Sequence, residues 1–273
     1  MPRDFRFGIG LRSIGSAARL REKVRRFADM GYDVVHFPDH LGAPAPFPAM
    51  VAAADAAPGI RVGSYVLNAA FYRPALLSRD VVDVDLLCDG RLELGLGTGY
   101  VREEFEAAEI RYPSAGERVD HLSRTVAHLR RTAPNVPVLI AGNGDRVLTL
   151  AAQHADIIGF SGTGPRSADS DPLAERVAFV RAAAGERFAD VELNLAITAV
   201  PTDSSGVPDL TLTRAYATTY SDEELLAIPS VLSGSPAKIA DTLRGQRETY
   251  GMSYFTVQDY HGRYFADVIN ELS

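Results

Sequence analysis

The chain has 273 residues, 46% hydrophobic and 23% charged, with 35 acidic against 28 basic side chains and a formal net charge of −7. That composition suits a globular protein with a sizeable core, and the acidic balance excludes a broad nucleic-acid or anionic-membrane surface. The single cysteine, Cys88, rules out an internal disulfide and fits a reducing cytoplasm, while the opening MPRDFRFGIG has no apolar signal core and no run reaches the ~18 apolar residues of a membrane helix.

Apolar runs predict strands over 5–10, 34–37, 61–68, 91–97, 136–141, 156–160, 191–200 and 253–257. Amphipathic patterns between them predict helices over 17–30, 49–56, 74–87, 117–131, 146–154, 173–184, 236–250 and 264–272. In the first helix the basic run from Arg19 to Arg26 alternates with Leu20, Val24 and Phe27, which makes it a solvated face. Each strand is followed by a helix, so the strands are expected to be parallel with crossover helices. Eight such units in this length predict one (β/α)8 barrel over 1–273; a doubly wound sheet is the alternative but more often has fewer strands. Loops 42–48, 161–172 and 201–208 all follow strand carboxyl ends, the side on which barrels build their sites.

The second strand, VVHFPDH, drives an apolar run into Pro38, Asp39 and His40. A histidine at a strand's carboxyl end can exchange a proton near neutral pH, and an adjacent carboxylate can orient its ring. The same residues could instead cap a short helix. His36, Asp39 and His40 also lie close enough to suggest a metal, but His121, His128 and His154 fall on helices and His261 only follows the last strand. A hydrolytic metal site needs ligands converging from several strands, so no metal is expected. Asn68 leaves a buried strand and needs a hydrogen-bond partner there. Gly95-Leu96-Gly97-Thr98-Gly99 lacks the third glycine of a dinucleotide fingerprint, yet it could let backbone approach a ring or a phosphate, or simply pack a barrel corner. Ala141-Gly142-Asn143-Gly144-Asp145 opens a helix at Arg146 and reads as an anion cradle, with Asn143 or Asp145 as its cap. No G-x-S-x-G occurs, so a serine hydrolase is not expected.

Several segments, in order, resemble the bacterial luciferase-like superfamily of flavin- or coenzyme F420-dependent oxidoreductases. They are GYDVVHFPDHLG, the block RVGSYVLNAAFYRPALLSRDVVDVDLLCDGRLELGLGTGYVREEF, VPVLIAGNGDRVLTLAAQHADIIGF and GSPAKIADTLRGQRETYGMSYFTV. The likeness is greatest to the subgroup that uses F420. It implies a non-prolyl cis peptide at Asn68–Ala69 against the cofactor ring, Gly97, Thr98 and Gly99 beside the cofactor, and Gly142 and Asn143 at its phosphate. It implies that His40, with Asp39 orienting it, exchanges a proton while hydride moves between F420 and a small organic substrate. An FMN-dependent monooxygenase is the alternative of the same fold, and a barrel that has lost its redox cofactor and works as an isomerase or cyclase is the alternative of another class. Relatives pair as homodimers through outer helices, for which the helix over 74–87 is the candidate. The chain departs from the family in having His36 and Tyr100 where tryptophan is usual, Arg73 before Pro74, and Cys88-Asp89 for a Ser-Gly pair. Between Arg131 and Val136 it also lacks a longer excursion that would wall the pocket, so the pocket is either more open or filled by another element.

Overall fold

The structure, a computed structural model, describes residues 3–161 and 164–273. Met1 and Pro2 of the opening segment, and Gly162 and Thr163 of the loop over 161–172, lie outside the described residues.

Strand β1 (Arg6–Gly10) leads into α1 (Ala17–Asp29), and β2 (Val34–Phe37) into α2 (Pro46–Ala56). The third strand comes in two pieces, β3 (Arg61–Ser64) and β4 (Leu67–Asn68), before α3 (Pro74–Leu87). Strand β5 (Leu92–Gly97) is followed by a short α4 (Arg102–Ala107) and a long α5 (Ala115–Thr132). Then come β6 (Val138–Ala141), α6 (Asp145–His154), β7 (Ile157–Phe160) and α7 (Pro172–Ala184). Strand β8 (Glu192–Ala196) precedes two short helices, α8 (Thr211–Tyr216) and α9 (Asp222–Leu226). The chain ends with α10 (Pro236–Tyr250), β9 (Met252–Gln258) and α11 (Gly262–Leu272).

The strands lie in the order β3-β2-β1-β9-β8-β7-β6-β5-β4, and β3 also pairs with β5, so the sheet closes. All pairings are parallel. With β3 and β4 taken as one interrupted strand, this is the expected (β/α)8 barrel. Closure demands a close approach between β3 and β5: a Cβ on Gly95 would sit 2.1 Å from the Ser64 carbonyl oxygen, so only glycine fits there.

Local sequence explains most of the helix ends. Ser16 accepts from the Arg19 N–H at the start of α1, and Ser114 and Glu117 form a reciprocal capping box on α5. Ser235 and Pro236 open α10, and Gly251, at φ 81°, closes it in the left-handed region. Helix α1 buries Leu20, Val24 and Phe27 as its spacing predicts. Burial of such side chains stabilises by about 1.5–3 kcal/mol each. Among the described residues no helix is long and apolar enough to cross a membrane.

Three expectations change. The cis peptide bond is Tyr65–Val66, between the two pieces of the third strand, and not Asn68–Ala69. Asn68 instead enters a short 3-10 turn over Ala69–Phe71, where its side chain accepts from the Ala70 N–H. Strand β8 stops at Ala196 rather than at 200, because the chain then leaves the barrel and Ala199 bridges Val231 of the following excursion. That excursion, with α8 and α9, packs a small core of its own from Ala199, Leu225, Ile228 and Val231. Helix α6 begins at Asp145, capped by Gly144 without a side-chain bond, so neither Asn143 nor Asp145 caps it.

Candidate active site

Backbone geometry delivers His40, Asn68, Thr98, Tyr100, Asn143 and Tyr260 to the carboxyl ends of the strands. His40 Nδ1 lies 2.9 Å from Glu104 Oε1, so the ring donates its Nδ1–H to that carboxylate and leaves Nε2 for an external proton. The pair is half-buried, with the His40 side chain 37% exposed and Glu104 16%. Tyr100 stands edge-on to the imidazole at 6.5 Å and 83°. Glu104, not Asp39, therefore orients His40. It comes from α4, a helix too short for its periodicity to register in the sequence; the only signal was the acidic REEF directly after the glycine-rich strand end.

Asp39 has other work. Its Oδ2 accepts the Asn68 backbone N–H at 3.0 Å, and the Tyr72 hydroxyl stands beside the carboxylate. Burial pushes its pKa above the usual carboxylate range, with the Asn68 and Tyr72 bonds and the nearby His40 opposing. Asp39 thus ties the loop after β2 to the end of β4. Asn68 reaches on to β5: a Cβ on Gly99, which has φ +71°, would lie 2.1 Å from Asn68 Oδ1. Ala69 is buried, and its carbonyl accepts from His121 Nε2 at 3.0 Å, as does that of Tyr72. His121 is a clamp on this turn.

The other glycines divide. Gly97 packs against Val66, 2.8 Å from where its Cβ would be. Gly142 donates its N–H to the Gly159 carbonyl at 3.3 Å, so the sheet uses the donor that the sequence assigns to a phosphate. The Asn143 amide donates to the Ser161 carbonyl. What remains open is the start of α6, whose first bond within the helix runs from Leu148 to Gly144 and leaves the preceding N–H groups unpaired within it. Gly144 has no atom within 4 Å of where a Cβ would stand. Unpaired donors beside open space fit an anionic phosphate.

Beneath the mouth, the barrel interior holds a buried polar network. Arg6 bonds Glu93 at 2.7 Å and also pairs with Glu192. Tyr254 donates its hydroxyl to Glu93 Oε1 at 2.9 Å and receives the His36 Nε2–H at 2.6 Å. Arg6 also lies over the Tyr254 ring at 4.5 Å. Tyr65 donates to Asn194 at 2.6 Å, and Asn194 to Thr256 at 2.9 Å. His36 is fully buried with Nδ1 unpartnered, and desolvation pushes its pKa down to about 4 although Glu93 pulls the other way. Sequence reasoning missed this network. Its members alternate with apolar residues along their strands, as in Arg91-Leu92-Glu93-Leu94 and Glu192-Leu193-Asn194-Leu195, and that alternation was the available signal. Among the described residues no cluster of three or more His, Cys, Asp or Glu could hold a metal ion.

The chain is similar to several known proteins. An F420-dependent glucose-6-phosphate dehydrogenase of Amycolatopsis mediterranei is 30% identical over 128 residues, 43% of this chain and only 38% of that protein's length. A solved F420-dependent secondary alcohol dehydrogenase in complex with an F420-acetone adduct superposes with a TM-score of 0.78 at 16% identity, covering 99% of this chain and 100% of that one. A solved long-chain alkane monooxygenase gives 0.76 at 13% identity, over 100% and 91%. At such identities the two structures attest the fold alone. Residues 5–251 match the family model of the luciferase-like monooxygenases, and the chain belongs to that family.

Proposed function

We propose that the chain is an F420-dependent oxidoreductase acting on a small organic substrate, with His40 as its proton-exchanging group. The observation that carries this reading is the His40–Glu104 pair at the strand ends, and a relative named for F420 supports the choice of cofactor. F420, when bound, supplies a two-electron hydride carrier. Asn68, Ala69, Gly97, Thr98 and Gly99 would border its ring. Asn143 and the open N–H groups at the start of α6 would hold its phosphate, with Gly142 shaping the turn. Glu104 holds the His40 ring through Nδ1–H, so Nε2 can take the hydroxyl proton of an alcohol as it becomes a carbonyl, and return it in the reverse direction. Asp39 keeps the His40 loop in register with Asn68.

An FMN-dependent monooxygenase is the second reading, favoured by the monooxygenase of the same fold. Titration of the purified chain with F420 and with FMN, followed by cofactor fluorescence, separates the two. Tighter binding of F420 is expected. Tighter binding of FMN would move the assignment to the monooxygenase, and binding of neither would remove the redox reading in favour of an isomerase or cyclase.

Homodimerisation through α3 belongs to the same proposal. Leu77, Val81 and Val84 face the core, while Leu76, Val82, Leu86 and Leu87 are exposed on the outer side. Sedimentation at micromolar concentration should give twice the chain mass; a monomer would refute it.

A further inference from the structure

The two members of the His40–Glu104 pair come from different segments, and each has a chain neighbour tied to one and the same turn. Asp39, next to His40, accepts the Asn68 N–H at 3.0 Å, where β4 enters the 3-10 turn Ala69–Phe71. Phe105, next to Glu104, is fully buried and meets the Phe71 ring edge-on, with centroids 5.2 Å apart and planes at 61°. The turn therefore grips the exit of β2 at one end and α4 at the other. Successive Cα atoms are held about 3.8 Å apart, so a shift of the turn passes to both sides of the pair.

The turn is itself fixed from outside the barrel. His121, on α5, has its Nε2 3.0 Å from the Ala69 carbonyl oxygen and 3.0 Å from that of Tyr72. Both partners only accept, so the nitrogen donates one shared N–H. One turn earlier on the same helix, Arg118 lies over the Tyr112 ring at 4.6 Å, and the three-residue spacing puts Arg118 and His121 on one face. Tyr112 meets Phe105 edge-on at 5.0 Å and 85°, and donates its hydroxyl to the Tyr100 carbonyl at 3.2 Å. Tyr100 in turn stands against His40. Edge-on ring contacts are directional as well as apolar. One face of α5 thus supports the turn, α4 and the loop after β5.

We propose that His121 is a positioning residue: its shared hydrogen bond to Ala69 and Tyr72 sets the distance between His40 and Glu104, and so holds His40 in the Nδ1–H form with Nε2 free. His121 hydrogen-bonds neither member of the pair. The proposal deepens the reading of His40 as the proton-exchanging group and rests on it. Its readout is the site of the ring proton, which needs neither substrate nor cofactor.

The test is the ring-nitrogen NMR spectrum of the full chain with isotope-labelled histidine, recorded with His40 neutral; the His40 signals are those lost in His40→Ala. The parent should carry its proton on Nδ1, and Glu104→Ala marks the shifts of a ring freed from its carboxylate. His121→Phe fills the space without a donor and should move His40 to the freed shifts. Phe71→Ala, which breaks the contact with Phe105, should do the same. His121→Gln offers two amide N–H groups to the two carbonyls and should restore the parent spectrum. Val24→Ala, on the core face of α1, loosens packing elsewhere and should leave His40 unmoved, which separates positioning from general destabilisation.

Four results overturn the proposal: a parent ring protonated on Nε2, a folded His121→Phe with the parent spectrum, a His121→Gln that behaves like His121→Phe, or a Val24→Ala that moves His40 as far. Should His121→Phe not fold, Phe71→Ala decides, and an unmoved His40 there overturns the proposal. F420 binding to the same samples is read separately by fluorescence. F420 binding with His40 unmoved in the variants removes this proposal alone. The expected shifts without F420 binding remove the redox reading alone.

Discussion

Strand β2 and its exit carry two histidines four residues apart, and the barrel treats them in opposite ways. His36 points into the sealed interior, where Tyr254 takes its Nε2–H and nothing meets Nδ1. His40 stands half-exposed at the mouth, held through Nδ1 by Glu104 with Nε2 left over. One imidazole is kept neutral by burial, and the other is held through one ring nitrogen with the second left without a partner among the described residues. Residue type alone says nothing of this difference; the position along the strand decides it. The same contrast separates the two regions as wholes. The interior pairs most of its polar groups with one another, Arg6 with Glu93 and Tyr254 with Glu93 and His36, whereas the mouth leaves the second nitrogen of His40 without a partner among the described residues.

The largest effect that would break the contrast is on turnover. His40→Ala should lower kcat by roughly 10²–10⁴-fold, the range for a lost acid/base group, while F420 affinity and the melting temperature stay near those of the parent. A comparable kinetic loss from a folded His36 variant, with its cofactor bound, would erase the distinction. Next in size is the floor of the barrel. Glu93 is almost fully buried between Arg6 and Tyr254, so Glu93→Ala should cost about 3–5 kcal/mol, as removal of one partner from a buried ion pair does, read from the urea midpoint. An unchanged midpoint would mean that the network is ornamental to stability.

Acid should expose the buried histidines. His36 and His261 are both held down to about 4 from an ordinary 6.5, first by desolvation. Between those values the unfolded chain binds more protons than the folded one. Stability is therefore fully present above about pH 6.5 and is lost as pH falls towards 4, by about 3 kcal/mol for His36 at ~1.4 kcal/mol per pH unit. Melting curves across that window should show the decline, and His36→Phe should flatten it; an unaltered slope would show that His36 is not its source. The smallest effect sharpens the mouth. Glu104→Gln keeps an acceptor for the Nδ1–H but removes the charge, so turnover should fall by roughly tenfold, the difference between a charged and a neutral hydrogen bond. Loss as deep as in His40→Ala would make Glu104 a proton carrier in its own right.

Much of this architecture was legible because its causes are local. Apolar runs bounded by turn residues marked all eight barrel positions; the caps at Ser114 with Glu117 and at Ser235 with Pro236 are local as well, since a cap needs only residues within one turn, although the sequence pattern starts the first of these helices at 117. The site was legible in part. His40 was picked out as a polar residue at the end of a buried strand, but its partner was assigned to the adjacent Asp39, and chain proximity proved the wrong guide. Asp39 is drawn away by the N–H of Asn68, and Glu104 arrives from 64 residues further on. Gly142 likewise looked free until β7 supplied the carbonyl that takes its N–H.

By itself, then, the sequence determined the alternation, the barrel and the presence of an ionisable group at the mouth, because hydrophobic periodicity and turn chemistry act between near neighbours. Only the tertiary structure decided which charges meet. Tyr254 reaches His36 across 218 positions of sequence, Glu93 meets Arg6 across 87, and Glu104 meets His40 across 64. Those encounters depend on strand register and barrel closure, which are properties of the whole sheet and of no single segment.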